Sequence, residues 1–444
     1  MSDDIKGIPY STVEFDKEGQ VLKEPDVPAD TAQLIVVSHG WNNDREAAET
    51  LYRRLFENFA QVTAQDAVIK ASKMAIVGII WPSKKFDEFM TEPTEANLRL
   101  GGAAAAGGQT DKASSEKAMH EAINRVVPLF DDANAAGIIA ALQKLVPQLE
   151  SDTDKQREFV ETLRKLVEPD GTLNSQHSSN DGSDMFFEDS AAAVFERAVQ
   201  EPVASIAVTD DNAPTDTGHA AGIGDLFSGV ASAVQSLLNM TTYYEMKKRA
   251  GTVGTNGVAP LLDKLSAQLT DLRRIHLVGH SFGGRVVTAA ATNSTTDKLY
   301  SLSLLQAAFS QNAFSKKRSG FFRSMVENKR IKGPVLVTHT RNDTAVGRAY
   351  AIASRISGDN ASGVGGPDDI FGGLGSNGAQ QMDAVEIANG VNKLLATDQP
   401  YTWQAGKFHN LESSDFIIDP KGGDAHGFVY VPQVAWAISR VIAS

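Results

Sequence analysis

A serine between two glycines stands in the segment Gly279-His280-Ser281-Phe282-Gly283. An apolar run precedes it, and a helical pattern begins directly after it. A Gly-x-Ser-x-Gly sequence between a strand and a helix is typical of a strained turn that exposes a serine hydroxyl as a nucleophile. Glycine is expected at both flanking positions, because a side chain there would collide where the strand reverses into the helix. The pentapeptide has low specificity by itself, so neighbouring segments must decide whether Ser281 is catalytic.

Main-chain N–H groups near this turn are candidates to stabilise negative charge on a substrate oxygen. The N–H of Phe282 lies at the start of the predicted helix, where the positive end of the helix dipole adds to its effect. Upstream, the apolar run 33–38 ends in His39-Gly40-Trp41. Gly40 would let the backbone turn closely beneath a substrate. Trp41 and Phe282 are therefore the candidate oxyanion donors.

A candidate acid and a candidate base follow the serine, in the order expected when a serine nucleophile comes first along an α/β chain. The apolar run 334–340 is closed by a turn that contains Asp343, where an orienting carboxylate would stand. His426 lies in a glycine-containing loop just ahead of an apolar C-terminal helix that is expected to begin near Pro432. His426 is the best candidate for a general base.

Each of these candidates has a competitor. Ser281 could be an ordinary turn residue, and His409 could take the place of His426. Asp343 competes with Asp415, Asp419 and Asp424, because an Asn-Asp pair is also a common turn former. The remaining histidines near the expected pocket or in buried strands are interpreted as packed structural residues: His39, His276, His280 and His339.

These segments together resemble the α/β-hydrolase superfamily in its lipase and esterase branch, and more closely a group of bacterial hydrolases of unassigned substrate. The resemblance covers roughly residues 30–82 and 242–444. It implies a mostly parallel sheet flanked by helices. It also implies acyl-ester chemistry, in which Ser281 attacks the carbonyl, His426 takes and returns the proton, and Asp343 holds the imidazole in the right tautomer. The implied substrate is a small-molecule or lipid ester, with no metal or organic cofactor.

The alternation of strands and helices is lost in the middle of the chain. Three helical patterns occupy this part, over residues 117–131, 134–147 and 153–168. A Gly/Ala run over 101–108 precedes them, and a polar stretch over 169–190 follows and is interpreted as loop or disorder. We interpret the whole as a helical cap inserted before the nucleophile strand, forming the roof of a substrate chamber. The expected domains are a first core part (1–83), the cap (84–241) and a second core part with the catalytic residues (242–444).

A basic segment over residues 314–332 stands out on an acidic chain. Its basic residues are Lys316, Lys317, Arg318, Arg323, Lys329, Arg330 and Lys332, with Phe321, Phe322 and Met325 among them. Such a segment could touch an anionic lipid surface or bind an anionic substrate group. A solvated loop and helix face is the plainer interpretation, so membrane contact is possible but not favoured.

Composition limits the classes of partner. The chain has 444 residues and a formal net charge of −13, which argues against nucleic acid because phosphate binding needs a basic surface. The absence of cysteine excludes a thiol nucleophile, a disulfide and a zinc–thiolate site. No signal peptide is expected from residues 1–6, and no apolar run is long enough to span a bilayer. We therefore expect a cytoplasmic location, with signal-independent export left open.

Two other functions remain open at this stage. One is a membrane-acting lipid hydrolase, and the other is a non-catalytic binding protein that kept the fold, since a fold does not determine a function. The sequence does not indicate an oligomeric state.

Overall fold

The computed structural model describes residues 3–41, 43–83, 112–130, 135–167, 186–187, 190–200, 229–343 and 372–444. The chain divides into two compact units. The first comprises Met1–Lys85, Lys247–Tyr350 and Gly365–Ser444, and the second comprises Phe86–Met246 and Ala351–Val364. The change of unit after Met246 falls inside a single helix, Val230–Thr252.

The first unit is built on a nine-stranded sheet. Its strands are β1 (Asp3–Ile5), β2 (Ile8–Phe15), β3 (Val21–Lys23), β4 (Gln33–Ser38), β5 (Met74–Ile80), β6 (Arg274–His280), β7 (Leu299–Leu305), β8 (Val335–His339) and β9 (Phe408–Glu412). Eight strands follow the order β1-β2-β5-β4-β6-β7-β8-β9, and β3 pairs with β2 outside this path. The pairs β1–β2 and β2–β3 are antiparallel, whereas the pairs from β2–β5 to β8–β9 are parallel. The predicted α/β class with a mostly parallel sheet is thus confirmed.

The strand bounds match the apolar runs except where the backbone turns early. β4 occupies the apolar run 33–38, β5 occupies a second apolar run over 74–80, and β6 is the apolar run directly before Ser281. The apolar run 302–309 predicts a further strand over these residues, but β7 begins at Leu299 and ends at Leu305. Gln306 has a φ of 41°, in the left-handed region that an extended strand does not use. This residue therefore ends the strand four positions early.

Helices flank this sheet. Within the described residues of the first unit they are Arg45–Val62, Ala67–Ala71, Ala259–Gln268, Phe282–Asn293, Arg323–Glu327, Leu374–Asn377 and Pro432–Ala443, with a π-helical turn at Val253–Val258. We call Phe282–Asn293 the elbow helix. It contacts β4, β6 and β7 and packs on the π-helical turn. The C-terminal helix begins at Pro432, as predicted.

The first long helix, Arg45–Val62, begins differently from expectation. The pair Asn42-Asn43 ahead of the helical pattern predicts a cap at one of the two asparagines. The N-cap is instead Asp44, whose carboxylate accepts the N–H of Ala47 at 2.8 Å. Asn43 instead donates to the carbonyl of Trp41 at 3.2 Å. Asn42 lies outside the described residues.

A continuous core joins one face of the sheet to the helices Arg45–Val62 and Pro432–Ala443. The sheet contributes alternate strand residues, including Ile35, Val37, Ile76, Val278, Leu305 and Leu336. The helices contribute Tyr52, Phe56, Phe59, Val434, Ile438 and Val441, among others. Alternation along each strand explains this division, because successive side chains point to opposite faces.

The described part of the second unit is helical. Its helices are Lys112–Val126, Ala135–Leu145, Thr153–Val167, Ala191–Gln200 and the first part of Val230–Thr252, with 3₁₀ turns at Val127–Leu129 and Val146–Gln148. Phe159 and Phe195 pack edge to face between two of these helices, with ring centroids 6.3 Å apart. The run 101–108 and most of the polar stretch 169–190 lie outside the described residues. The roof of a substrate chamber stays a prediction.

The helices of the described ranges include none that combines the length and the apolar character needed to cross a membrane.

The basic segment uses several of its side chains inside the first unit. Arg323 forms an ion pair with Glu386 at 2.6 Å, and Arg330 donates to main-chain carbonyl oxygens. Phe322 and Met325 are buried. Its exposed basic residues are Lys316, Lys317, Arg318, Lys329 and Lys332. The two buried side chains are therefore not on a surface that could meet lipid.

Candidate active site

The carboxyl ends of β4 and β6 lie side by side, where the connections of the sheet change direction. From β4 the chain passes to β5 on one side, and from β6 it continues through β7, β8 and β9 on the other. In open parallel sheets, ligands bind beside such a switch point at the carboxyl ends of the strands. Gly40 lies two residues beyond β4 and Ser281 lies one residue beyond β6. The topology therefore brings these two sequence candidates to one place.

Ser281 occupies a strained turn between β6 and the elbow helix. Its φ of 55° and ψ of −127° lie outside the regions that L-residues prefer, a conformation that costs about 1–3 kcal/mol. Its N–H donates to Leu305 at 3.1 Å, and its carbonyl accepts the N–H groups of Gly284 and Ala308, each at 3.0 Å. The hydroxyl does not cap the helix that it precedes. Main-chain bonds thus hold the turn and leave the side chain out of the cap.

The glycines on either side of Ser281 are required by close packing. A Cβ on Gly279 would lie 2.5 Å from the carbonyl oxygen of Gly283. A Cβ on Gly283 would collide with the carbonyl oxygen of Ser38, at the end of β4. The collision predicted from the pentapeptide therefore exists at both positions.

Gly40 brings the loop after β4 directly against the serine. A Cβ at this position would lie 2.5 Å from Cβ and 3.0 Å from Oγ of Ser281. Trp41 follows, and its ring meets the ring of Phe282 edge to face, with centroids 6.1 Å apart. The two candidate oxyanion donors thus belong to neighbouring turns. Phe282 is the first residue of the elbow helix, where N–H groups fall outside the intrahelical bonding pattern.

Tyr52 supports the loop after β4, and the sequence analysis missed it. Its hydroxyl accepts the N–H of His39 at 2.7 Å and donates to the carbonyl of Ile79 at 2.6 Å. The sequence indicates that Tyr52 is buried, because it lies four residues after Ala48 and four before Phe56 on the apolar face of its helix. A tyrosine on such a face needs partners for its hydroxyl, and here the partners are the two strand ends.

His39 is a packed structural residue, as predicted. Its Nδ1 donates to the carbonyl of Gly40 at 2.8 Å, and its ring stacks on Trp81 with centroids 5.6 Å apart. The indole N–H of Trp81 donates to the carbonyl of His39 at 3.0 Å. Burial lowers the pKa of His39 to about 4, so the ring is neutral near pH 7. These contacts fix the loop that carries Gly40 and Trp41.

Asp343 and His426 form a buried pair. The Nδ1 of His426 donates to Oδ2 of Asp343 at 2.8 Å, across a sequence separation of 83 residues. The two loops are also joined by the N–H of Ala425, which donates to the carbonyl of Asn342 at 3.1 Å. Asn342 in turn donates to the carbonyls of Ser414 and Ile417, each at 3.0 Å. Asn342 was predicted only as a turn former, whereas its side chain joins the loop that contains Asp343 to the segment after β9.

Four effects set the pKa of His426. Burial lowers it, but the negative charge and the hydrogen bond of Asp343 raise it, and the charge of Asp424 adds to them. The net result is a pKa above the ordinary value of 6.5. A histidine with its Nδ1–H held by a carboxylate presents Nε2 as the proton acceptor.

His426 is linked to the serine turn through His280. The Nε2 of His280 donates to the main-chain carbonyl of His426 at 2.9 Å, and the two rings are 4.8 Å apart between centroids. In the described part of the chain, no hydrogen bond joins the Ser281 hydroxyl to the His426 ring. Catalytic hydrogen bonds are often long without substrate and tighten only in the complex. The structure therefore brings Asp343 and His426 together and joins the main chain of His426 to the residue before Ser281.

His409 and Asp419, two of the competing residues, have other hydrogen-bond partners. His409 lies in β9, where its Nε2 accepts the N–H of Gln404 at 3.1 Å. Asp419 accepts the N–H groups of Lys421 and Gly423 in its own loop, each at 2.8 Å. The carboxylate hydrogen-bonded to Nδ1 of His426 is that of Asp343.

Two further features bear on ligand binding. Over the described ranges, His, Asp and Glu side chains form no group of three that could hold a metal ion. A surface cleft of about 1070 Å³ is lined by residues such as Thr31, Asn58 and Met74. Thr31 and Met74 stand at the amino ends of β4 and β5, so this cleft lies at the sheet edge opposite Ser281.

Comparisons of the chain with models of protein families, with curated proteins and with solved structures found no match. The geometry of the site is therefore the basis on which a function is inferred.

Proposed function

We propose that this protein is a serine hydrolase that cleaves carboxylic esters on an α/β-hydrolase fold. Ser281 is the nucleophile, His426 the general base and Asp343 the residue that orients it. The observation that carries the proposal is the 2.8 Å hydrogen bond between His426 and Asp343, in a loop bonded to the residue before Ser281. A strained serine, a buried imidazole and a buried carboxylate are the parts that acyl transfer needs.

The reaction follows from the positions of the protons. Asp343 holds the Nδ1–H of His426, so Nε2 keeps a free electron pair. As the Ser281 oxygen bonds to the ester carbon, its proton passes to Nε2, and the imidazolium that forms is stabilised by the Asp343 charge. The tetrahedral intermediate then expels the alcohol, which takes the proton from Nε2. Water repeats the two steps on the acyl-enzyme and releases the acid.

The carbonyl oxygen becomes negatively charged in the tetrahedral intermediate. The N–H groups of Trp41 and Phe282 are the proposed donors to it, because they come from the two turns that meet at Gly40 and Ser281. The loop that carries Trp41 is held by Tyr52 and Trp81, so it needs little reorganisation during the reaction. The substrate class is a small-molecule or lipid ester, and none of these steps uses a metal or an organic cofactor.

Labelling by a fluorophosphonate tests the nucleophile. The wild-type protein is expected to form a covalent adduct on Ser281, and Ser281→Ala is expected to form none. Ser72→Ala is the matched control, since Ser72 lies just before β5 at the opposite sheet edge and should leave labelling unchanged. Turnover is then measured with p-nitrophenyl esters from acetate to laurate. A folded wild-type protein that neither labels nor hydrolyses any of these esters would reject the proposal in favour of a binding protein.

Gly40→Ala is expected to lower kcat by about 100-fold. The added Cβ would displace either Ser281 or the loop that carries Trp41, and a displacement of about 1 Å is enough to misalign the reacting groups. The control is Gly137→Ala, in the helix Ala135–Leu145, where a Cβ would meet nothing within 4 Å. That change should leave kcat unchanged and stabilise the helix by about 0.5–1 kcal/mol. Ester turnover and thermal unfolding of both variants check the prediction, and an unimpaired Gly40→Ala would show that the loop does not approach the reacting serine.

A further inference from the structure

His280 is a buried histidine that the proposed mechanism does not use. It is the last residue of β6, stands directly before Ser281 and is 7% exposed. Its hydrogen bond to the carbonyl of His426 and the 4.8 Å ring separation place it between the nucleophile turn and the base.

The hydrogen bond fixes the tautomer of His280. A carbonyl oxygen only accepts, so Nε2 carries the proton and Nδ1 carries the free electron pair. Burial, together with the charge of His426, lowers the pKa of His280 to about 3, so the ring is neutral. Its Nδ1 is buried and has no hydrogen-bond partner among the residues that the structure describes. A buried acceptor without a partner is unfavourable, so packing alone would favour an apolar ring here.

Glycines stand on both sides of the chain segment that carries His426. Gly422 has a φ of 77°, and a Cβ on either Gly422 or Gly427 would meet nothing within 4 Å. The N–H of Ala425 holds the loop to the acid loop on one side. On the other side, the bond from His280 acts on His426 itself.

We infer that His280 is a positioning residue whose Nε2–H fixes the main chain of His426 at a set distance from Ser281. Asp343 controls the rotation of the His426 ring, and His280 controls the position of the main chain from which that side chain extends. Because His280 and Ser281 are consecutive residues, one strand end sets the position of both reacting groups. This inference rests on the proposed function, and it assigns His280 no contact with substrate.

Two substitutions separate the donor from the ring. His280→Gln keeps an N–H at a similar reach and loses the aromatic ring, whereas His280→Phe keeps a ring and loses the donor. We expect kcat of His280→Gln to stay within about tenfold of wild type and kcat of His280→Phe to fall by about 100-fold, with KM unchanged in both. If His280→Phe does not fold, His280→Leu takes its place. The inference is overturned if His280→Phe retains more activity than His280→Gln, or if both lose activity equally.

A second measurement does not depend on turnover. In the Ser281→Ala background, the Nδ1 proton of His426 should give a low-field ¹H NMR signal that survives in His280→Gln and is broadened or lost in His280→Phe. An unchanged signal in all three proteins would overturn the positioning role even in an active enzyme. A wild type that neither labels nor hydrolyses esters, with a signal that still depends on the donor at residue 280, would reject the proposed function and support the positioning role.

Discussion

His426→Ala is expected to lower kcat for ester hydrolysis by about 10⁶-fold, the largest effect of any change in the site except loss of the nucleophile. Without the imidazole, no group accepts the Ser281 proton as the oxygen attacks. KM should change little, because the His426 ring accepts the Ser281 proton during the reaction and contributes little to binding of the substrate. Steady-state kinetics with a p-nitrophenyl ester measures the loss, and circular dichroism verifies the fold.

His409→Ala is the matched control for this experiment. His409 is also buried, but it bonds to Gln404 and packs edge to face against Trp403, with ring centroids 4.8 Å apart. Its removal should lower thermal stability and leave kcat within about tenfold of wild type at temperatures where the variant is folded. If His409→Ala abolished turnover and His426→Ala did not, the assignment of the base would be wrong.

Asp343→Asn is expected to lower kcat by about 10⁴-fold with the fold intact. The amide no longer holds His426 in the tautomer that leaves Nε2 free, and it carries no charge to stabilise the imidazolium. Rate measurements at constant temperature, paired with thermal unfolding, check both parts. Asp424→Asn is the control, because Asp424 contributes charge near His426 while the bond to Nδ1 comes from Asp343. A more severe loss in Asp424→Asn than in Asp343→Asn would contradict the assigned acid.

The same variant has a distinct pH dependence. The base acts when neutral, so kcat/KM falls as the pH drops through the pKa of His426. That pKa is raised above 6.5, which places the acid limb of the wild-type profile above pH 6.5. In Asp343→Asn the largest remaining effect is burial, which lowers the pKa, so the residual activity should persist to lower pH. If the acid limb of the Asp343→Asn profile lay at the same pH as in the wild type, a group other than His426 would control it.

The sequence predicted the parts of the site that depend on local chain geometry. β4 and β6 were delimited by their apolar runs, and the glycines around Ser281 indicated the sharp turn. Steric exclusion at Gly279 and Gly283 is a property of neighbouring residues, so a five-residue pattern is enough to detect it.

Features that depend on distant contacts were less accessible. The sequence favoured Asp343 but left Asp424 as a competitor, because only the fold shows which loop meets His426 across 83 residues. The early end of β7 comes from the left-handed backbone of Gln306. Glutamine has no preference for this conformation, so its presence does not predict the end of the strand. The short strands β1 and β3, of three residues each, carry too little periodicity to be detected. The role of His280 likewise depends on a carbonyl 146 residues away.

The way in which the segment from His426 to the C-terminal helix is attached determines the stage of folding at which His426 reaches Ser281. The carbonyl of Tyr430 accepts from Asn58, and the helix Pro432–Ala443 packs on the helix Arg45–Val62, so this segment is anchored on residues near the opposite end of the chain. Contacts of such long range form late in folding, because the loop entropy must be lost before they stabilise anything. A growing chain can therefore complete the serine turn well before it acquires a proton acceptor. Under the proposed function, Ser281 would therefore become reactive only when these long-range contacts have formed.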